Sequence, residues 1–314
     1  MNNQINISIV IPVFNEESSL KELYTQLSEA LIIYESYEII FVDDGSYDNS
    51  FNILKEIANI DIRVSIIQLN KNYGKADALS AGFDKANGDV IVTLDSDLQD
   101  DPFEIPHLIE KLQEGWDLVS GWKKNRKDPL NKKIPSKIFN FITRLFTGVN
   151  IHDFNCGFKA YKSKVANTLD IYGGLYRYIP AIVGQKGFSV TEIPVNHRSR
   201  KYGKSKYGGK RIFHGFFDFF TMLFTSKYFN RPLHFFGSIG LIILLIGLII
   251  NVYLTIGWYK GIWIDNRPVF FLGILLIIIG IQFFSIGLLG ELFINNTRSS
   301  SKKVHSIYKK NNTN

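Results

Sequence analysis

Four aspartates lie within seven positions of the chain, in the stretch DSDLQDD at residues 95–101. The stretch follows the apolar run 90–94, which is typical of a buried strand. Asp95 and Asp97 are one residue apart, so an extended backbone would point both side chains to the same side. Two carboxylates at this spacing can hold Mg²⁺ or Mn²⁺ when a diphosphate supplies further oxygen ligands. Because adjacent carboxylates without a cation raise each other's pKa at a cost in stability, the pattern indicates a divalent metal site.

The other two aspartates, Asp100 and Asp101, precede Pro102 and a stretch of helical spacing at 103–114. Acidic side chains stabilise the positive end of a helix, and proline suits its first turn. We therefore predict that this pair forms the turn and the helix cap. A calcium loop of the EF-hand type is excluded, because Asp100 and Pro106 stand where that loop needs Gly and Glu.

A second acidic segment, VDDGS at 42–46, ends another apolar run. Asp43 or Asp44 could accept hydrogen bonds from a pyrimidine N–H or a ribose hydroxyl. The same residues also suit a tight turn with a helix cap, and both interpretations stay open. The first apolar run is followed by FNEE rather than G-x-G-x-x-G, which counts against an NAD or FAD enzyme.

Short apolar runs and amphipathic stretches alternate over the first 121 residues. The alternation predicts an α/β domain with a mostly parallel sheet covered on both faces. Ligands of such sheets bind at the carboxyl ends of the strands, where the acidic segments lie. The predicted strands are 7–14, 37–42, 64–69, 89–94 and 117–121, and the predicted helices are 17–32, 48–60, 74–87 and 103–114, with Ser18, Asp48 and Asp101 as candidate caps.

Two long segments, 232–259 and 268–290, contain no Lys, Arg, Asp or Glu. Each exceeds the roughly 20 apolar residues that cross a bilayer core, so we predict transmembrane helices at about 233–257 and 268–292. Basic residues after 297 place the tail in the cytoplasm by the positive-inside rule. The start of the chain does not read as a signal peptide, and Cys156 is the only cysteine. We therefore expect a cytoplasmic soluble part without disulfides.

Charge is divided unevenly along a chain whose net charge is +7. Residues 1–104 carry 6 Lys/Arg against 19 Asp/Glu, whereas the remainder carries 30 against 10. Positive charge ahead of membrane spans suits an anionic lipid surface better than nucleic acid, although a solvated basic surface is the alternative. Within this half, 135–149 and 208–226 are rich in Phe at helical spacing. They predict helices lying in the membrane interface, or else core or oligomer contacts.

Six motifs occur in order along the chain: VIPVFNEE, VDDGSYDNS, NYGKADALSAGF, GDVIVTLDSDLQDDP, DFNCGFKAY and RKYGKSKYG. Together they resemble family 2 glycosyltransferases with the GT-A fold, over about residues 7–230. The similarity is greatest to the polyprenyl-phosphate branch, with its dolichol-phosphate mannose synthases and its GtrB-like and ArnC-like enzymes. The resemblance implies a Rossmann-like, mostly parallel α/β GT-A catalytic domain, then interfacial helices and a C-terminal two-helix transmembrane hairpin. The catalytic domain would be 1–207, an amphipathic interfacial helix 208–231 and the transmembrane hairpin 232–294, followed by a basic cytoplasmic tail at 295–314.

The resemblance also implies roles for residues that match the family's motifs. Asp95 and Asp97 would hold Mg²⁺ or Mn²⁺ on the diphosphate. Phe14 stands where Tyr is usual, and Lys123 stands where related enzymes often carry Arg. The residues implied in nucleotide-sugar binding are Pro12, Phe14, Glu16, Val42, Asp44, Asp95, Ser96, Asp97, Gln99 and Lys123.

The acceptor phosphate would be bound by Arg200, Ser205 and Lys206. Asp97, Arg200 and Lys206 would act in catalysis together with Asp153, which either serves as a base or orients the sugar. A metal and basic side chains stabilise the charge that grows on a leaving diphosphate. A lipid phosphate is already an anion near neutral pH, so it needs little deprotonation, in keeping with the lack of a His–carboxylate pair in these motifs.

The implied reaction transfers a sugar, with UDP-glucose as the favoured donor, to undecaprenyl phosphate with inversion, giving a lipid-linked monosaccharide for the cell envelope. The implied setting is the bacterial inner membrane, as a multi-pass homo-oligomer with a tetramer as one candidate, and no nucleic-acid partner. Two alternatives stay open: a glycosyltransferase that uses a lipid hydroxyl, and an inactive membrane scaffold or sensor. A processive polysaccharide synthase is excluded, because the chain lacks a Q-x-x-R-W motif.

Overall fold

The computed structural model describes residues 6–124, 130–199, 201–202, 217–222, 224, 231–261 and 268–297. The chain divides into two compact units, Met1–Met222 and Leu223–Asn314. The first unit is built around a seven-stranded sheet, and the second contains two long apolar helices.

The elements of the first unit follow the predicted alternation of strands and helices. Its strands are β1 (Ile7–Val13), β2 (Tyr37–Asp43), β3 (Val64–Gln68), β4 (Val90–Thr93), β5 (Leu118–Trp122), β6 (Lys159–Lys162) and β7 (Val190–Pro194). Its helices are α1 (Leu20–Leu31), α2 (Ser50–Ile60), α3 (Lys75–Lys85), α4 (Ile105–Gln113), α5 (Leu130–Thr147), α6 (Ser163–Ala166) and α7 (Ile179–Gln185), with 3-10 turns at Pro102–Glu104 and Leu175–Tyr178. The five predicted strands and four predicted helices are confirmed, with ends within three residues of those expected.

The sheet has the strand order β3-β2-β1-β4-β6-β5-β7. Strand β1 runs parallel to β2 and β4, and β5 runs parallel to β7. Strand β6 lies between β4 and β5 and is antiparallel to both. The mostly parallel sheet predicted from the sequence is therefore confirmed. Because β6 runs in the opposite direction, the residues just before it lie at the edge where β1, β2, β4 and β5 end.

Helices cover the sheet with their apolar faces. Helix α1 buries Leu20, Leu23 and Leu27 at helical spacing, and α4 buries Leu108 and Leu112 in the same way. These side chains join the strand residues in one hydrophobic core, and burial of each large apolar side chain contributes about 1.5–3 kcal/mol. The core fixes the strand ends on which the polar segments lie.

One of the three predicted helix caps is confirmed. Asp101 is the N-cap residue of the turn Pro102–Glu104, and its Oδ1 accepts a hydrogen bond from Phe103 N at 3.1 Å. Asp48 and Ser18 are wrong as N-cap residues, because those positions of α2 and α1 are taken by Asn49 and Ser19, although Asp48 Oδ1 accepts a hydrogen bond from Ser50 N at 3.0 Å. The Ser19 hydroxyl does not cap the helix but donates to the carbonyls of Glu16 and Ser96.

Helix α5 carries an exposed apolar face. Phe141, Leu145 and Phe146 are more than half exposed, whereas Asn140 and Thr143 face inward and are buried. Phe146 packs edge to face on Phe219, with ring centroids 5.7 Å apart, and residues 217–222 are helical. The helix predicted at 135–149 is confirmed over 135–147, within a helix that begins at Leu130, and its location in the membrane interface stays a prediction. Of the stretch 208–226, only 217–222 and 224 belong to the described residues.

The second unit contains helices α8 (Pro232–Tyr259) and α9 (Pro268–Thr297), which form a hairpin. Each contains an 18-residue stretch with a mean hydropathy of 2.7, and both are long and apolar enough to cross a membrane. They meet along glycines spaced seven apart, Gly240 and Gly247 on α8 and Gly273 and Gly280 on α9. A Cβ on Gly280 would lie 2.7 Å from Gly240 O. Small residues therefore bring the two backbones together, as is common between membrane helices.

Candidate active site

The Asp95–Gln99 turn lies at the end of β4, at the carboxyl edge of the sheet. Leu98 has a φ of 61°, a left-handed conformation that a bulky residue rarely adopts, and its side chain is buried. The turn is closed by Gln99 N, which donates to Asp97 Oδ1 at 3.1 Å. Asn15, which follows the neighbouring strand β1, is also left-handed, with φ 50°. Two such residues at adjacent strand ends mark this edge as a candidate functional site.

Asp95 is paired with a lysine and packs against a glycine. Lys75 Nζ, at the start of α3, donates to Asp95 Oδ1. A Cβ on Gly157 would lie 2.8 Å from the same oxygen, so only glycine leaves room for the carboxylate. The partly buried position of Asp95 works against its charge, but Lys75, Lys123 and Lys159 together lower the pKa of Asp95 below its ordinary value. Asp95 is therefore ionised and surrounded by cations.

Behind Asp95 lies a buried lysine, Lys159, at the start of β6. Its Nζ donates to the carbonyl of Cys156, and its side chain is almost fully buried. Burial, reinforced by Lys75, lowers the pKa of Lys159 to about 8, against the opposing influence of Asp153 and Asp95. Cys156 is also buried, and burial raises the pKa of its thiol to about 12. The thiol is therefore not a nucleophile near neutral pH.

Asp100 and Asp101 take part in the turn and the cap, as predicted, and each also has a charged partner. Asp100 Oδ2 accepts a hydrogen bond from Asp95 N at 3.4 Å across the turn. Asp101 is the cap, and its carboxylate also pairs with Arg198 at 2.6 Å. Asp100 is fully buried and pairs with Lys123 Nζ at 2.7 Å. Lys123, which the resemblance places at the donor, therefore contacts the acidic turn from the end of β5. Asp100 is paired with a lysine because a carboxylate that is buried away from water needs a charged partner.

The predicted donor residues of the first two strands come together at the same edge. Pro12 on β1 lies opposite Val42 on β2, and Phe14 packs edge to face on Tyr47 with centroids 5.5 Å apart. Glu16 N donates to Ser50 Oγ at 2.9 Å, while Ser96 is buried beside Asp97. The Val42 side chain is fully buried in the sheet core.

Asp44 fixes the loop that carries Lys75. Its carboxylate accepts hydrogen bonds from Tyr73 N at 2.7 Å and from Gly74 N at 2.9 Å. Burial raises the pKa of Asp44, although these two N–H groups oppose the shift. A Cβ on Gly45, whose φ is 68°, would lie 2.5 Å from the Lys71 carbonyl carbon, so the DDGS turn packs tightly on this loop. Asp44 thus has a structural function, and its contact with a ribose or base stays a prediction.

Asp153 lies in the segment before β6 and is buried. Glu192, on β7, accepts hydrogen bonds from His152 N at 2.7 Å and from Asp153 N at 3.3 Å, and it also pairs with the His152 ring. That ring stacks on Trp122, with centroids 4.3 Å apart. Asp153 is therefore held at its backbone by Glu192, and both Asp153 and Asp95 lie close enough to Lys159 to influence its charge.

The segment that leads to the predicted acceptor residues runs beside the acidic turn. Arg198 N donates to Gln99 O at 2.9 Å, and Lys201 Nζ pairs with Glu22 on α1 at 2.8 Å. The acceptor residues themselves, Arg200, Ser205 and Lys206, lie outside the described residues. Their roles stay predictions.

The residues at this edge fit a divalent metal held jointly by protein and substrate. Asp95 already binds a cation, the Lys75 ammonium, and Asp97 lies two residues away. Among the residues that the structure describes, no three His, Cys, Asp or Glu side chains are grouped closely enough to hold a metal alone. Mg²⁺ prefers such incomplete protein sites, where one or two carboxylates are joined by phosphate oxygens and water.

Several residues of this site were not predicted from the sequence. Lys75 and Gly157 stand inside motifs that were recognised, NYGKADALSAGF and DFNCGFKAY, but neither motif shows which carboxylate they approach. Lys159 also lies in the second motif. Its apolar neighbours in the sequence are the one signal that could have indicated a buried lysine. Glu192 lies in a strand that was not predicted, and no local pattern indicates its contact with residues 152 and 153.

Comparison with known proteins gives matches in both sequence and structure. The description of the matching family is Glycosyl transferase family 2, over residues 8–170. The dodecaprenyl-phosphate galacturonate synthase of Rhizobium johnstonii is 36% identical over 295 residues, which is 92% of this chain and 87% of that protein. The undecaprenyl-phosphate 4-deoxy-4-formamido-L-arabinose transferase of Shewanella sediminis is 38% identical over 291 residues, 91% of this chain and 86% of that protein.

A solved structure with a similar fold is the glucosyl-3-phosphoglycerate synthase of Mycobacterium tuberculosis, in complex with Mn²⁺, UDP and phosphoglyceric acid. The TM-score is 0.54 at 18% sequence identity, covering 70% of this chain and 78% of that one. At this identity the likeness concerns the fold, and it agrees with the GT-A fold that the motifs imply.

Proposed function

The chain belongs to glycosyl transferase family 2, and on this premise we propose that it transfers a sugar from a nucleotide-sugar to a polyprenyl phosphate. The observation that carries the proposal is the Asp95–Asp97 turn at the end of β4, with Lys75 paired to Asp95 and Lys123 paired to the neighbouring Asp100. The acceptor class is supported by the two relatives, which match over more than 90% of this chain and whose names specify polyprenyl phosphates.

The proposed reaction needs two anions to meet at one carbon atom. Asp95 and Asp97 would hold a divalent metal, which supplies positive charge for the leaving diphosphate. Lys75 and Lys123 add fixed positive charge at the same edge of the sheet, and preorganised charges of this kind favour the transition state. Asp153 is held by Glu192 and would orient the sugar. An acceptor phosphate is already ionised near neutral pH, so the proposal needs no strong base.

The finer features of the proposal are the donor and the metal. We propose UDP-glucose as the donor and Mg²⁺ or Mn²⁺ as the metal. The Mn²⁺ and UDP in the Mycobacterium tuberculosis structure make this metal–nucleotide pair the first to test. The homo-oligomer implied by the resemblance stays a prediction.

We also propose that the protein acts at the cytoplasmic face of a bacterial inner membrane, anchored by α8 and α9. The exposed phenylalanines of α5 support this location. Phe141 is 64% exposed and Phe146 is 54% exposed, and Phe-rich helical faces with basic neighbours bind membrane surfaces. Such a position would bring the GT-A unit to an acceptor whose phosphate lies at the lipid surface.

The deciding experiment offers the purified full chain in detergent a panel of UDP- and GDP-sugars, undecaprenyl phosphate and Mg²⁺ or Mn²⁺. We expect a lipid-linked product with one donor, and loss of that product with EDTA. Absence of product with every donor would disprove the proposed function. A product with undecaprenol but not with undecaprenyl phosphate would instead favour the glycosyltransferase that uses a lipid hydroxyl.

The metal role of the turn is tested by Asp97→Ala, with the exposed Asp84→Ala as the matched control. We expect a loss of transfer by at least about 10²-fold for Asp97→Ala and no loss for the control, with similar unfolding temperatures. Retained transfer in Asp97→Ala would remove this aspartate from the reaction.

A further inference from the structure

Lys75 is placed against Asp95 by the fold rather than by helix preference. It is the first residue of α3, where the positive end of the helix disfavours a cation. The preceding turn fixes its position, because Asp44 binds the N–H groups of Tyr73 and Gly74. The Lys75 side chain is only 18% exposed. The hydrogen bonds of Asp44 thus hold Lys75 at a helix end that disfavours its charge. This arrangement indicates a specific function for the ammonium group.

Among the lysines that influence Asp95, Lys75 is the one bonded to it. Lys123 pairs with Asp100 at 2.7 Å, and Lys159 donates to the carbonyl of Cys156. The Lys75 ammonium, in contrast, donates a hydrogen bond to Asp95 Oδ1 and forms an ion pair with it. Lys75 therefore neutralises the carboxylate that the metal is expected to bind.

A divalent metal and the Lys75 ammonium cannot share Asp95 without strong repulsion between like charges. A second contact is already present beside Lys75. Its Nζ lies 5.4 Å from the ring centroid of Tyr176, within the range of a cation–π interaction. Arg177 lies over the same ring at 5.3 Å and donates to the Tyr176 hydroxyl at 3.2 Å. An ammonium released from Asp95 would thus keep its contact with a partly exposed aromatic ring over which Arg177 also lies.

We propose that Lys75 is the resident counter-ion of Asp95, that the metal displaces it, and that the released ammonium then binds an oxygen of a substrate phosphate. This inference rests on the proposed function and extends it to the order of binding. Metal alone binds weakly, because it must break the ion pair between Lys75 and Asp95. Metal and phosphate bind together strongly, because the phosphate takes over Lys75. The phosphate belongs either to the donor diphosphate or to the lipid acceptor, and the chemistry of the contact is the same.

The test measures the binding of Mn²⁺ to the full chain in detergent. The electron paramagnetic resonance signal of free Mn²⁺ reports how much of the metal is bound. Binding is measured alone, with UDP or GDP, and with farnesyl phosphate. In the wild type we expect the effective phosphate ligand to raise the affinity for Mn²⁺ at least about tenfold, within the usual range of coupling between sites. In Lys75→Gln we expect tighter binding of Mn²⁺ alone and little further effect of that ligand. Lys75→Arg keeps the charge and should retain most of the coupling.

The matched control is Lys71→Gln, an exposed lysine of the same loop that lies over Tyr73 at 5.1 Å. It should bind Mn²⁺ as the wild type does, and equal unfolding temperatures exclude a folding defect. Coupling by a nucleotide assigns the phosphate to the donor, and coupling by farnesyl phosphate assigns it to the acceptor.

The inference is overturned if Lys75→Gln binds Mn²⁺ alone no more tightly than the wild type, or if its coupling to the phosphate ligands is unchanged. It is also overturned if the wild type binds no Mn²⁺ under any of these conditions. A different outcome concerns only the proposed function: Lys75-dependent coupling together with no sugar transfer to polyprenyl phosphate would support the counter-ion exchange and reject that acceptor.

Discussion

Lys123 Nζ lies 2.7 Å from Asp100 Oδ1, and the two side chains are 11% and 0% exposed. Burial works against the charge of Lys123, but Asp100 and the more distant Asp95 raise the pKa of this lysine above its ordinary value. The pair ties the end of β5 to the acidic turn after β4, across the inserted strand β6. It therefore holds the two sides of the candidate active site together.

We expect Asp100→Leu to destabilise the first unit strongly, because it leaves a buried charged lysine without its partner. Removing one member of a buried pair costs about 3–5 kcal/mol, or a fall of about 10 °C in the unfolding temperature. The double variant Asp100→Leu with Lys123→Met should be more stable than Asp100→Leu alone, because no buried charge remains unpaired. Equal unfolding temperatures for the single and double variants would contradict the importance of this pair.

Glu192 is expected to act on transfer through the position of Asp153. Glu192→Ala removes the acceptor of two backbone N–H groups and should lower kcat by about 10²-fold, with little change in the KM for the donor. Glu192→Gln keeps an oxygen acceptor and should recover a large part of the rate.

The comparison variant for Glu192 is His152→Ala, which leaves both backbone bonds in place and should retain more activity than Glu192→Ala. Steady-state kinetics and the unfolding temperature distinguish the outcomes. If Glu192→Ala transfers sugar at the wild-type kcat, Asp153 does not depend on this glutamate.

The lowered pKa of Lys159 predicts that the free energy of unfolding rises at alkaline pH. Its folded pKa is about 8, against an ordinary value of 10.5. Between these values the unfolded chain binds a proton that the folded protein lacks, so the free energy of unfolding due to this group rises with pH, by up to about 3 kcal/mol. Below pH 8 both states are protonated, and this contribution is lost.

The measurement is the difference in unfolding temperature between the wild type and Lys159→Met from pH 7 to 10. The wild type should gain on the variant as pH rises. Cys156, whose pKa is raised to about 12, has the opposite effect, but it is present in both proteins and largely cancels. A difference that does not change with pH would mean that Lys159 keeps its ordinary pKa.

The glycine contacts between α8 and α9 predict a specific sensitivity to side-chain size. A Cβ on Gly280 would lie 2.7 Å from Gly240 O, so Gly280→Leu should force the helices apart, at about 1–3 kcal/mol. Gly257, on α8, has no atom within 4 Å of an added Cβ, which makes Gly257→Leu the matched control. We expect a lower unfolding temperature in detergent for the first variant only. The reverse order would contradict this helix contact.

Much of the first unit could be predicted from the sequence because its signals are local. Strands β1 to β5 are short apolar runs, and α1 to α4 have apolar residues at helical spacing, so each element is visible in its own residues. Asp95 and Asp97 follow from their spacing and from the motif around them. The cap at Asp101 is local as well, since the side chain and the N–H that it binds are two residues apart.

The features that were missed depend on contacts distant in sequence. Strand β6 is four residues long and includes two lysines, so it lacks an apolar run. Its position between β4 and β5 depends on hydrogen bonds to strands that are distant in sequence. The ion pair between Asp100 and Lys123 has no local signal, because the two residues are 23 positions apart. The Lys75–Asp95 pair joins two separate motifs. Spacing indicates which side chains share a face, but not which distant charge they meet.

The burial of Cys156 has a practical consequence. It is the only cysteine in the chain, and its raised pKa keeps it as the unreactive thiol under ordinary labelling conditions. A cysteine introduced at an exposed position, such as Lys71 or Phe141, would therefore be the preferred target of a maleimide dye or spin label in the otherwise unaltered protein. Distances within the working enzyme could then be followed by fluorescence or spin resonance without first replacing a core residue.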